Sequence, residues 1–130
     1  MNDPERHLPH LARIADEWRR LGEAMSDPQI LTDHERMAEL ARRRRALEPT
    51  ALGYTNYRKL KAQKEEAEQM LAEESDPELR ELALEQRELA TTELPVLLER
   101  MLAALVRAED DRIGALILEV RAGVGGDEAG

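Results

Sequence analysis

"LKAQKEEAEQMLAEESDPELRELALEQRELA", residues 60–90, holds two helical patterns back to back around a single break. Before the break, Leu60, Ala67, Met70 and Leu71 continue one apolar face. After it, Leu79, Leu82, Gln86, Leu89 and Ala90 start a new stripe at steps of three and four. "SDPE" (75–78) is both stop and start: Ser75 or Asp76 can cap free amides, Pro77 is tolerated in a first turn, and Glu78 suits the positive end of a helix. Two helices joined by so short a polar turn fold back antiparallel. The stretch predicts a helical hairpin.

Upstream, Met37, Leu40, Ala41, Leu47 and Leu52 extend the first arm toward a start signal at "TDHE", where Thr32 can cap and Glu35 can reach back. Pro49 either separates two helices or kinks one; as a single bent rod, residues 33–74 would span on the order of 60 Å. Further upstream, Leu8, Leu11, Ile14, Ala15, Trp18, Leu21 and Met25 share one stripe, ended by "SDPQ" at 26–29. Downstream, Pro95 predicts a kink near Glu93, after which Leu97, Leu98, Met101, Leu102 and Leu105 form another stripe. The expected fold is mainly α: an elongated, coiled-coil-like, antiparallel three-helix bundle in which each stripe is buried against the other two helices.

Composition agrees. There is no Phe, one Trp and two Tyr among 130 residues, and 36% are charged, so the core must be thin and made of Leu, Ala and Met. A net charge of -9 argues against a protein that coats nucleic acid nonspecifically. With no cysteine, disulfide and thiol chemistry are excluded. The opening residues lack the basic-then-apolar order of a signal peptide, and no apolar run reaches membrane-spanning length. The expected location is cytoplasmic, with no membrane partner, no cofactor and no small-molecule substrate.

After "RAEDDRIG" the character changes. In "ALILEVRAG" (115–123), Leu116, Leu118 and Val120 alternate with Ile117, Glu119 and Arg121, which is the period of a strand. Gly123, Gly125 and Gly126 permit a sharp turn, Asp127 can cap a following helix, and Glu128 fits its first turn. A lone strand has no ladder partner. The expected organisation is therefore a helical domain over 1–107, a linker at 108–114, and the first strand and glycine turn of a truncated α/β domain over 115–130.

"LEVRAGVGGDEAG" (118–130) closely resembles the segment that opens the second domain of bacterial class I peptide chain release factors, through Arg121, Ala122, Gly123, Gly125, Gly126, Asp127 and Glu128. Asp127 resembles the type that reads UAA and UAG; the sister type usually carries Thr there. Residues 8–107 are similar to the family's amino-terminal domain in length, helix order and phrases such as "AEQML". The family's linker often contains proline, unlike "RAEDDRIG" here. The resemblance implies translation termination on the ribosome, near the large-subunit stalk base, with ribosomal RNA and the recycling GTPase release factor as partners. It implies no catalysis by these residues, because the family's Gly-Gly-Gln loop and codon-reading loop have no counterpart here; Gly125 and Gly126 precede Asp127, an acid. The rival reading is a free-standing helical coiled-coil adaptor without an enzymatic parent.

Arg42, Arg43, Arg44 and Arg45 form the one concentrated basic feature. Four consecutive helical residues sweep about 400 degrees, so they cannot all point one way. They read first as a solvated face pairing with Glu39, Glu48 or a neighbouring acidic helix. The alternative is contact with ribosomal RNA phosphates, for which guanidinium forks are suited. "GVGGDE" lacks the Lys-Ser/Thr ending of a P-loop, and its acids would repel phosphate. His7, His10 and His34 read as surface residues rather than zinc ligands, and the paired glutamates as a solvated helix face.

Overall fold

The computed structural model describes the backbone over residues 3–129, and side chains over 3–110 and at 114, 117 and 118. A 3-10 turn at Pro4–His7 leads into α1 (Leu8–Ala24), a single turn α2 (Pro28–Leu31), α3 (His34–Glu73) and α4 (Pro77–Ala129). The predicted breaks hold. Asp27 of "SDPQ" accepts from the Gln29 amide at 2.9 Å, which turns Pro28–Leu31 into a short helix instead of a plain turn. In "SDPE", Asp76 accepts from the Glu78 amide at 3.1 Å, while the Arg80 guanidinium closes the turn by donating to the carbonyls of Leu71 and Glu74.

The cap of α3 is Asp33, not Thr32: its carboxylate accepts from the Arg36 amide at 3.1 Å. Thr32 instead closes α2, its hydroxyl donating to the Gln29 carbonyl. Both internal prolines leave their helices continuous. Pro49 and Pro95 are exposed, and so are Arg45 and Thr91 four residues earlier, so the carbonyl each proline deprives of a donor lies on the water side. At 40 residues, α3 is the full rod of about 60 Å.

α3 is the spine of the bundle, packing against both α1 and α4. The three helices meet where Leu11 of α1, Tyr57 of α3, and Leu94, Leu98 and Met101 of α4 form one buried cluster. Toward the hairpin turn the seam narrows to Ala67, Ala83 and Ala90, all buried. The expected stripe of α4 is corrected here. Leu79, Leu82, Gln86 and Leu89 are exposed, and only Ala90 of that set is inside. Small side chains let two helix backbones approach closely, and this approach places the alanines in the seam and rotates the leucines out.

The strand expected over 115–123 is also corrected, because α4 keeps helical backbone from Pro77 through Ala129. A helix satisfies its amides within the segment, whereas a strand without a partner satisfies none. The same helical span takes in Gly123, Gly125 and Gly126, where the sharp turn is expected.

Candidate functional site

The sequence places its one basic cluster in the first half of α3, against α1. α1 carries its own charges on its outer face, and they are engaged with one another: Arg19 bridges Asp16 and Glu23, each at 2.6 Å, and Arg20 reaches Asp16 at 2.9 Å. The hydrogen bond from Arg19 holds the Asp16 carboxyl below its ordinary range, against a smaller opposing effect of burial.

The four arginines of the run in α3 separate into three roles. Arg44 is half-buried and stands over the indole of Trp18, its guanidinium carbon 3.8 Å from the ring centroid, while its Nε donates to the Trp18 carbonyl at 3.1 Å. Gly22, one helical turn after Trp18, leaves the space; a Cβ there would stand 2.7 Å from Arg44 Nη2. Arg43 faces Glu17 of α1 at 3.6 Å, a loose pair with both side chains about half exposed. Arg42 and Arg45, three apart, are exposed on the outward face. The pairing of Arg43 with a neighbouring acidic helix follows the bland reading of the run. The clamp made by Arg44, Trp18 and Gly22 was not legible in the run itself, though a glycine four residues after the only tryptophan was its one signal.

Gly22→Ala tests the clamp. The added methyl displaces the guanidinium from the ring, forfeiting a stacking contact of about 0.5–1 kcal/mol. The change also gains about 1 kcal/mol of helix propensity. Thermal stability should therefore change little while the emission of Trp18 shifts. An unchanged emission spectrum would show that Arg44 does not depend on the space at Gly22.

Other chemistry has little to stand on among the described residues. No group of three or more His, Cys, Asp or Glu side chains is placed to hold a metal, and no helix is long and apolar enough to cross a membrane. An open groove beneath the amino-terminal turn is lined by Tyr57, Lys61, Lys64, Thr91, Leu98 and Glu99. Burial, with the Glu5 carboxylate second, raises the Tyr57 phenol above its ordinary 10.0 and keeps it neutral. The side chains of Arg121, Ala122, Asp127 and Glu128 and the positions Gly123, Gly125 and Gly126 lie outside the residues described at the side-chain level.

Comparison with known proteins supplies what this geometry leaves open. A family model described as the PCRF domain matches residues 14–130. Peptide chain release factor 1 of Bacteroides fragilis is 33% identical over 129 residues, covering 99% of this chain and 35% of that protein. The protein of the same name from Lysinibacillus sphaericus is 30% identical over 119 residues, covering 92% of this chain and 33% of its own length. That of Chlorobaculum tepidum is 32% identical over 120 residues, with 92% and 34% covered. No solved structure matches. The chain spans about a third of the length of the curated relatives it matches.

Proposed function

The chain belongs to the PCRF-domain family of peptide chain release factors, and we propose from that premise that it is the ribosome-associating amino-terminal part of a cytoplasmic factor that ends translation at UAA and UAG. The observation that carries this reading is the family match over 14–130 combined with a share of about a third of each relative. The reading removes the adaptor without enzymatic parent. It also assigns peptidyl-tRNA hydrolysis to protein outside these residues, which contain no Gly-Gly-Gln.

In this reading, residues 115–123 exchange helix for strand once a neighbouring strand is available, because their period-two alternation fits a sheet. Gly123, Gly125 and Gly126 then form the turn, and Asp127 caps the helix after it. The helical domain lies near the stalk base of the large subunit, and the GTPase release factor is its second partner. Arg42 and Arg45 are the basic side chains of the run left facing outward for ribosomal RNA phosphates.

Co-sedimentation of the 130-residue chain with purified bacterial large subunits tests the reading: the chain is expected in the pellet, without hydrolysing peptidyl-tRNA. A chain that stays in the supernatant at low salt would remove it. Arg42→Gln with Arg45→Gln should weaken that binding and reduce its logarithmic salt slope by about one unit per lost phosphate contact. An unaltered slope would return both arginines to the solvated face.

A further inference from the structure

Near its turn the α3–α4 hairpin has small side chains inside and leucines outside. Ala67, Ala83 and Ala90 are at most 1% exposed, whereas Leu82 and Leu89 are 50% and 59% exposed and Leu79 and Val96 exceed 40%. Leu79, Leu82, Leu89 and Val96, with Gln86 and Glu93 at the intervening three-four positions, make one stripe about 26 Å long beside the seam. Met70, one residue before the seam position Leu71, lies on the flank of α3 that adjoins the flank of Leu79 in an antiparallel pair. This flank is uncovered. The amino-terminal turn sits on the other side, over Lys61, Glu68, Thr91 and Leu98.

The same half of the hairpin holds the chain's entire charge imbalance. Residues 65–99 carry twelve acids and two bases, and the rest of the chain carries sixteen and seventeen. Both bases are engaged inward: Arg80 donates to backbone carbonyls of the turn, and Arg87 is half-buried at a seam position. Glu78, Glu81, Glu85 and Glu88 are exposed along the outer border of the stripe. An apolar strip rimmed by carboxylates repels phosphate, and a second copy would set one acidic rim against another. A basic partner satisfies both features.

We propose that this face of the hairpin binds a basic amphipathic helix of a protein partner. Its apolar side would lie on Leu79, Leu82, Leu89 and Val96, and its lysines or arginines against the glutamate rim, completing a third strand of coiled coil. The inference rests on the hairpin's own surface and goes beyond the ribosome reading.

The test titrates the isotopically labelled full chain with a Leu/Lys model helix of about 18 residues, long enough to match the stripe. A Leu/Glu helix and a uridine oligonucleotide serve as competitors in chemistry. The Leu/Lys helix alone should shift the amides of residues 79–96 and of Met70. Leu82→Gln with Leu89→Gln should weaken binding roughly a hundredfold, since two buried leucines are lost. Glu81→Gln with Glu88→Gln, which alters no apolar contact, should weaken it less and reduce its salt dependence. Leu31→Gln, at an exposed leucine elsewhere, should change nothing. Undiminished binding by the leucine variant, an equal response to the Leu/Glu helix, oligonucleotide shifts on the same amides, or self-association through them would each overturn the proposal.

Discussion

Replacing Leu11 with Ala should lower the stability of the bundle by about 2–5 kcal/mol and loosen α1 from the hairpin. Leu11 is 0% exposed and is the largest completely buried side chain among the described residues. It is also the contribution of α1 to the cluster with Tyr57, Leu94, Leu98 and Met101, so its removal leaves a void where three helices meet. Elsewhere α1 buries Ile14 and Leu21 and adds the Arg44 clamp and a loose pair between Arg43 and Glu17. Urea unfolding followed by helix content and by Trp18 emission measures the loss, and the emission should change at lower urea than the helix signal of α3 and α4. Leu31→Ala, at a side chain 54% exposed, should stay within about 0.5 kcal/mol. A loss below about 1 kcal/mol at Leu11 would mean that α1 is anchored elsewhere.

Gly53→Leu should cost about 1–3 kcal/mol, even though glycine is the poorer helix former by about 1 kcal/mol. A Cβ at Gly53 would stand 2.6 Å from Cγ of Met101, which is itself 2% exposed and cannot swing into solvent without opening the cluster. Gly53→Ala adds only that carbon, and the propensity gain offsets most of the displacement of Met101. The pair separates packing from propensity: Ala close to neutral, Leu clearly destabilising in chemical unfolding. If both variants came out more stable than the parent, α3 and α4 would not be in close contact at this point.

The ends of the helices were legible because side chains that cap also punctuate. Asp27 and Asp76 stop one pattern and start the next within two residues. At "TDHE" two capping residues stand side by side, and the sequence could not show that the carboxylate of Asp33 would take the amide while Thr32 turned back to α2. Pro49 and Pro95 remained ambiguous because the penalty of a helical proline depends on whether the freed carbonyl meets water, which is a tertiary fact. The stripe of α4 misled for a different reason. Hydrophobicity ranks Leu79, Leu82 and Leu89 above Ala83 and Ala90, but the distance between two backbones decides which set fits between them. Within the arginine run, periodicity said that the four side chains diverge, but only the position of Trp18 beside Gly22 shows which one turns inward. The strand expected over 115–123 has the right alternation, and alternation specifies a strand only where a ladder exists to receive it.

The separation of charge along this rod has a consequence for how the molecule arrives anywhere. A hairpin whose α3 arm is about 60 Å long, strongly negative toward its turn and nearly neutral in sum elsewhere, behaves as a macroscopic dipole. In the field of a large polyanion it experiences a torque before it experiences a contact, swinging the hairpin turn outward and leading with the end that bears Arg42 and Arg45. That alignment acts over the Debye length, about 8 Å at physiological ionic strength and about 30 Å at 0.01 M, so it favours one orientation of encounter most strongly in dilute salt. The acidic turn thus serves the approach as a vane serves an arrow.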